Sequence, residues 1–237
     1  MASAGRALTS PGVTTALLFD FDGLLYDSET AAFETWRELY AAHGVEFPLA
    51  LWQAEVMGRP PGTSAFEPLA HLVELTGARL DPTPTLQARA RRRDALFPRE
   101  LLPGAEALLA RARAEGLRTA IVSSNHRLRV LEHLARAGVA PDFDAIVTAD
   151  GDPVRGKPSP TLYLEALDRL AVAAPDAIAF EDSPNGVAAA KAAGLYCIAV
   201  PNALTAGAAG LERADLTLAS LADFRLPEAA GAHPPIV

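Results

Sequence analysis

The sequence predicts an α/β fold, a doubly wound parallel sheet with a helical domain inserted after its first strand. Three observations carry this. From residue 100 onward, short runs rich in Ile, Val and Leu alternate with longer segments of helical period, as in strands buried between two layers of helices. Residues 27–100 break the alternation with helix-like pieces alone. The polar residues that fit a core least well gather at the ends of the strand-like runs, and doubly wound sheets bind ligands outside the carboxyl ends of their strands.

The first strand, "TALLFD", stops at Asp20. Next comes "DSETAAFETWRELYAAHG", where Phe33, Trp36 and Tyr40 recur at helical spacing, acids occupy the first turn and Gly44 stands just past the end. Further helices are expected at 49–57, 64–76 and 83–96. Strands "RTAIVSS", "DAIVTA", "AIAFED" and "YCIAV" then alternate with helices "PGAEALLARARAEG", "HRLRVLEHLARAG", "SPTLYLEALDRLAVA" and "SPNGVAAAKAAG". Three of those four helices end at a glycine suited to a C-terminal cap. "ADLTLAS" reads as a weak edge strand and "EAAGAHPPIV" as a loose tail. The expected organisation is a core domain of 13–26 and 101–225, a helical cap of 27–100, and terminal tails of 1–12 and 226–237. A chain of 237 residues, half of them hydrophobic, is long enough for a full core and a smaller appended domain.

A net charge of −8 without a basic stripe excludes a nucleic-acid binder, since phosphate backbones are gripped by clustered Lys and Arg. Small substrates remain. Cys197 is the only cysteine, so no intramolecular disulfide can form, and in "LYCIAV" it reads as a small buried hydrophobe. "MASAGRALTSPG" has no apolar secretory core, and no stretch nears the ~20 apolar residues of a membrane span. The cytoplasm is the expected compartment and a small metabolite the expected partner. Oligomeric state is left open, with a monomer the simplest case.

Strand one ends in Asp20 and Asp22, strand two in Ser123, Ser124 and Asn125, and the strand near 180 in Glu181, Asp182 and Ser183; Lys157 is read as opening a helix in "GKPSP". Acids clustered at one sheet edge repel and lose hydration unless a cation joins them, and an all-oxygen set that keeps some water suits Mg²⁺. A phosphate is then welcome, held by the Ser123 hydroxyl, by N–H groups at the start of the next helix, and by Lys157. A carboxylate set against a phosphoryl group can attack it and form an aspartyl phosphate, which is the position of Asp20. Asp22, two residues on, lies on the same side of an extended chain, where it can protonate the leaving oxygen and later deprotonate water. Each motif alone has an ordinary use: Asp and Gly in a turn, "SSN" and "ED" as helix caps, Lys157 as a solvated charge. In order, at successive strand ends, they make one site.

"DFDGLLYDSE", "IVSSN", "GKPSP" and "FEDSPNG" resemble the four sequential motifs of the haloacid dehalogenase superfamily of phosphotransferases. The nearest branch has a helical cap between the first two motifs and includes beta-phosphoglucomutase-like and sugar-phosphatase-like enzymes. The resemblance implies Asp20 as nucleophile, Asp22 as general acid/base, Ser123 as the phosphate-binding residue with Ser124 and Asn125 adding contacts, and Lys157 as the lysine of the third motif. It also implies Mg²⁺ beside Asp20, the Asp22 carbonyl and Asp182, with Glu181 nearby through water. Carbon–halogen hydrolysis is disfavoured, because a halide leaving group needs no proton from Asp22.

In the cap, Arg59 sits on a Gly- and Pro-rich turn that can dip toward the substrate, whereas Arg89, Arg91, Arg92 and Arg93 read first as a solvated face. Trp36 and Tyr40 read as cap core, and His43 as a partner of its helix C-terminus. The expected function is Mg²⁺-dependent hydrolysis of a small phosphomonoester, a sugar phosphate. The alternative is a phosphomutase of the beta-phosphoglucomutase kind, in which the first cap helix carries a histidine; the aligned position here is Ala32. From another class, a receiver-like phosphoacceptor shares a strand-end Asp and a "KP" lysine, but it is about half this length and needs neither Asp22 nor a cap.

Overall fold

The structure is a computed structural model, and it describes residues 14–55, 66–139 and 143–226. Six strands form the sheet: β1 Ala16–Phe19, β2 Arg118–Ser123, β3 Ala145–Thr148, β4 Ala177–Glu181, β5 Tyr196–Ala199 and β6 Leu216–Thr217. Their order is β3-β2-β1-β4-β5-β6 and every pairing is parallel. The weak run expected at the edge is β6, two residues long. The chain winds outward from β1 in one direction and then from β4 in the other. The β1/β4 boundary is thus the switch point, where connections diverge and leave a crevice at the carboxyl ends.

Residues of alternating parity along the strands supply the two faces. Leu17, Phe19, Ile121, Ile178, Phe180 and Ile198 pack with α5 (Ala105–Ala114) and α6 (Arg127–Arg136). Their neighbours Ala16, Leu18, Ala120, Val122, Ala179 and Cys197 pack with α7 (Thr161–Leu170) and α8 (Pro184–Ala192). Burial on both faces explains why these runs are continuously apolar. It also pushes the Cys197 thiol upward, as expected of a small hydrophobe rather than a nucleophile.

Between β1 and β2 the described residues before α5 hold four helices and no strand: α1 Ser28–Ala41, α2 Leu49–Glu55, α3 Pro68–Thr76 and α4 Pro82–Leu96. α3 begins later than the periodicity suggests because Pro68 is its first residue, where a missing N–H costs nothing. Phe33, Trp36, Tyr40, Phe47, Trp52, Leu69 and Leu72 form a separate apolar cluster, joined by Leu204 from the loop after β5. The Tyr40 hydroxyl donates to Pro68 O at 2.7 Å, and the His43 ring meets Leu39 O at 2.9 Å.

The arginine run of α4 is only partly a solvated face. Arg92 pairs with Glu38 at 2.8 Å in the open, but Arg89 lies 3.9 Å over the Trp36 ring and Arg93 reaches Asp94 and Phe97. The two ends of this helical segment are fastened to each other, since the Tyr26 hydroxyl donates to Pro98 O at 2.6 Å and the Tyr26, His133 and Phe97 rings pack together. Among the described residues no helix is long and apolar enough to cross a membrane.

Candidate active site

β1 runs out at Phe19, and the next residue still follows the ladder, with Asp20 N donating to Phe180 O at 3.0 Å. Phe21 turns into the core against Tyr26, which leaves Asp20 and Asp22 on the opposite side. Gly23 then reverses the chain at φ +87°, and a Cβ there would stand 2.3 Å from Asp182 Oδ2. Glycine is required on both counts.

Asp20 is buried, with one oxygen paired to Lys157 Nζ and the other, Oδ2, without a hydrogen-bond partner among the described residues. Lys157 stands in the turn before α7 rather than at the head of that helix, which begins at Thr161. Its N–H donates to Ser124 Oγ at 3.1 Å, so the second motif holds the loop that delivers the lysine. Nζ also meets Glu181 Oε1 at 2.7 Å, and Tyr163 donates its hydroxyl to that same oxygen at 2.5 Å. Glu181 Oε2 is buried without a partner among the described residues.

Asp22 belongs to a different network. Ser28 Oγ donates to it at 2.6 Å and Ser123 Oγ at 3.1 Å, while Asn125 Nδ2 lies 3.4 Å from both its oxygens. These donors steer its carboxylate away from the lysine. Asp182, at the end of β4, takes a bond from Asn202 Nδ2 at 2.9 Å.

Electrostatically the site is overloaded with acid. Burial pushes Asp20 up to about 8, opposed by Lys157 and reinforced by Glu181 and Asp22. Burial, then Asp20 and Glu181, raises Asp182 as well. On Lys157 burial works downward, but the attraction of Asp20 and Glu181 outweighs it and keeps the ammonium charged. One buried cation faces three buried carboxylates. One carboxylate oxygen from each of Asp20, Glu181 and Asp182 lies within 4.8 Å of the others, and two of these residues keep a buried oxygen without a partner among the described residues. Hard oxygen donors lacking partners fit a divalent cation such as Mg²⁺.

The structure thus brings together Asp20, Glu181, Asp182 and Lys157, and beside them Asp22, Ser123 and Asn125, while Ser124 serves the lysine loop. Arg59 lies outside the described residues. Four participants go beyond the sequence reading: Ser28, Tyr163, Asn202 and Glu29. Burial and the charges of Asp22, Asp20 and Asp27 push Glu29 up to about 8. Asn202 has a signal, since it closely follows strand "YCIAV" just as the other site residues follow theirs. Tyr163 has none, being one more apolar position of an amphipathic helix.

Gly186 supports Glu181 by lacking a side chain, because a Cβ there would come within 1.7 Å of Glu181 Oε2. Gly186→Ala is expected to destabilise the protein by about 2–3 kcal/mol in urea denaturation, through forced displacement of that carboxylate. In an unobstructed helix the same change would stabilise by about 1 kcal/mol.

Known proteins resemble this chain in sequence and in fold. The family model described as haloacid dehalogenase-like hydrolase matches residues 14–194. The YhcW protein of Bacillus subtilis (strain 168) is 40% identical over 89% of this chain and 94% of its own length. A phosphorylated carbohydrates phosphatase of Thermotoga maritima is 33% identical over 86% of this chain and 93% of its own. Among solved structures, a HAD family hydrolase from Deinococcus radiodurans R1 with bound phosphate and sodium superposes with a TM-score of 0.69 at 30% identity, covering 89% and 93% of the two chains.

Proposed function

Because this chain belongs to the haloacid dehalogenase-like hydrolases and is a phosphoric monoester hydrolase, we propose that it is a Mg²⁺-dependent cytoplasmic phosphatase of a small sugar phosphate, acting through an aspartyl phosphate on Asp20. The observation that carries the reading is the difference in surroundings between the two acids of the first motif. Asp20 is pinned to Lys157 among the metal-competent carboxylates, whereas Asp22 is held apart by Ser28 and Ser123.

In this reading Asp20 attacks phosphorus, and the bond to the leaving oxygen breaks as Asp22 gives that oxygen a proton. Asp22, now a carboxylate, takes a proton from the water that attacks the aspartyl phosphate, which releases phosphate and restores Asp20. Ser123 and Lys157 hold the phosphoryl oxygens, with Asn125 at the same rim. Asp20, Asp182 and Glu181 would hold Mg²⁺, which when bound neutralises the acids and the phosphoryl charge. Residues 27–100 act as a cap over the crevice, and Arg59 is the cap side chain assigned to the substrate.

Hydrolysis is favoured over return of the phosphoryl group to a sugar because Ala32, where the mutase reading needs a histidine, offers no titratable group. Membership of a hydrolase family sets aside the receiver-like phosphoacceptor. The deciding experiment is a phosphomonoester panel assayed with Mg²⁺, with Asp20→Asn as the blank and glucose 1-phosphate included. Release of inorganic phosphate from sugar phosphates supports the proposal; conversion of glucose 1-phosphate to glucose 6-phosphate without free phosphate makes the protein a mutase.

The pH dependence of metal binding follows from the raised carboxylates. Asp20 is lifted from 3.8 to about 8, so without metal it favours the protonated fold, and stability falls as pH rises through that window. A cation must displace those protons, so the Mg²⁺-induced increase in Tm is expected to grow with pH up to about 8 and then level. An increase independent of pH across that window would contradict the assignment.

A further inference from the structure

We propose that Asn202 is a positioning residue that aims Asp182 at the metal site and couples that aim to the seating of the helical segment on the sheet; the inference rests on the Mg²⁺ reading above. Among the described residues the Asn202 amide is the one side-chain hydrogen-bond donor to Asp182. Its Nδ2 is shared between Asp182 Oδ2 at 2.9 Å and Gly23 O at 3.1 Å, so it ties the carboxylate to the turn that carries Asp20 and Asp22. Its Oδ1 accepts from Leu204 N at 2.8 Å and Thr205 N at 3.2 Å. Both donors and both lone pairs of the amide are in use, and exchanging nitrogen for oxygen would set N–H against N–H and oxygen against oxygen. The orientation is therefore dictated by the surroundings.

The other end of this loop grips the helical segment. Leu204 O accepts from Gln53 Nε2 of α2 at 2.6 Å, and the Leu204 side chain is buried with Phe33, Trp36 and Trp52. Two amide side chains and one short turn thus connect a metal-competent carboxylate with the apolar core of the segment. Seating of α2 fixes Leu204, Leu204 fixes the turn that orients Asn202, and Asn202 fixes the rotamer of Asp182. Partners of this outer kind change metal affinity when they are removed, about 10–100-fold in well-studied sites.

The test uses the full chain and Mg²⁺ alone, with affinity read by titration calorimetry and stability by thermal melts without metal. Asn202→Ser keeps a short acceptor for the turn but cannot reach Asp182, and Gln53→Ala removes the contact at the far end. Asn202→Ser is expected to weaken Mg²⁺ binding about 10–100-fold with little change in the metal-free Tm. Gln53→Ala is expected to weaken it by a smaller factor, and the double variant by less than the product of the two. Wild-type Mg²⁺ affinity in Asn202→Ser, whatever its stability, overturns the positioning role while leaving the Mg²⁺ reading intact. Wild-type affinity in Gln53→Ala, or strictly multiplicative losses, overturns the coupling. A wild-type chain that takes up no Mg²⁺ overturns both the inference and the reading beneath it.

Discussion

Asp20→Asn is expected to abolish phosphate release, by a factor on the order of 10⁴ or more, while the protein stays folded. Removal of a nucleophile strips out the covalent route and leaves only binding and electrostatic assistance. The fold should tolerate the change, because Lys157 keeps Glu181 as an ion-pair partner at 2.7 Å and an amide fills the same volume as the carboxylate. The net effect on stability is expected to be small or favourable, since one acid disappears from a crowded buried cluster. A phosphate assay paired with a thermal melt reads both. Robust turnover in a folded Asp20→Asn protein would remove Asp20 from its role.

Asp22→Asn is expected to split the reaction. General acid–base groups contribute about 10²–10⁴-fold, so hydrolysis of an alkyl phosphate should fall by that range. An aryl phosphate has a leaving group stable without a proton, so its first step should survive and its second, which needs a base for water, should stall. Stopped-flow absorbance with an aryl phosphate is expected to show one equivalent of phenolate released in a burst, followed by slow turnover. The groups around position 22 permit the test, because Ser28 and Ser123 donate to different oxygens of Asp22, so one hydroxyl can still donate to the asparagine carbonyl while the other rotates to accept from its amide N–H. Equal losses for alkyl and aryl substrates, with no burst, would assign Asp22 to something other than proton transfer.

Most of the sheet is legible in the sequence because its strands are buried on both faces and read as uninterrupted apolar runs. The helical segment is legible as helices from spacings such as Phe33, Trp36 and Tyr40, which do pack together with Phe47. Boundaries are less so: periodicity starts α3 too early, because Pro68 decides where it begins. The chemistry at strand ends is legible for a different reason, since acids at the tips of buried strands are too costly to be accidental.

What the sequence hides is anything whose meaning depends on packing. Tyr163 looks like one more apolar helix position, yet its hydroxyl meets Glu181 Oε1. Asn202 looks like a turn former, which it is, and only the fold reveals that its amide also reaches Asp182. Lys157 joins the cluster as its motif suggests but does not open a helix, because three residues separate it from Thr161, the start of α7.

The central claim is that Asp20 carries the phosphoryl group between two steps served by Asp22, and the stalled variant offers its most direct measurement. Asp22→Asn is mixed with Mg²⁺ and an aryl phosphate, quenched in acid after the burst, digested and analysed by mass spectrometry. The account predicts close to one phosphoryl group per chain, on the peptide that contains Asp20 and on that residue. Stoichiometric release of the phenol with Asp20 unmodified, or with the phosphoryl group on another side chain, would contradict it.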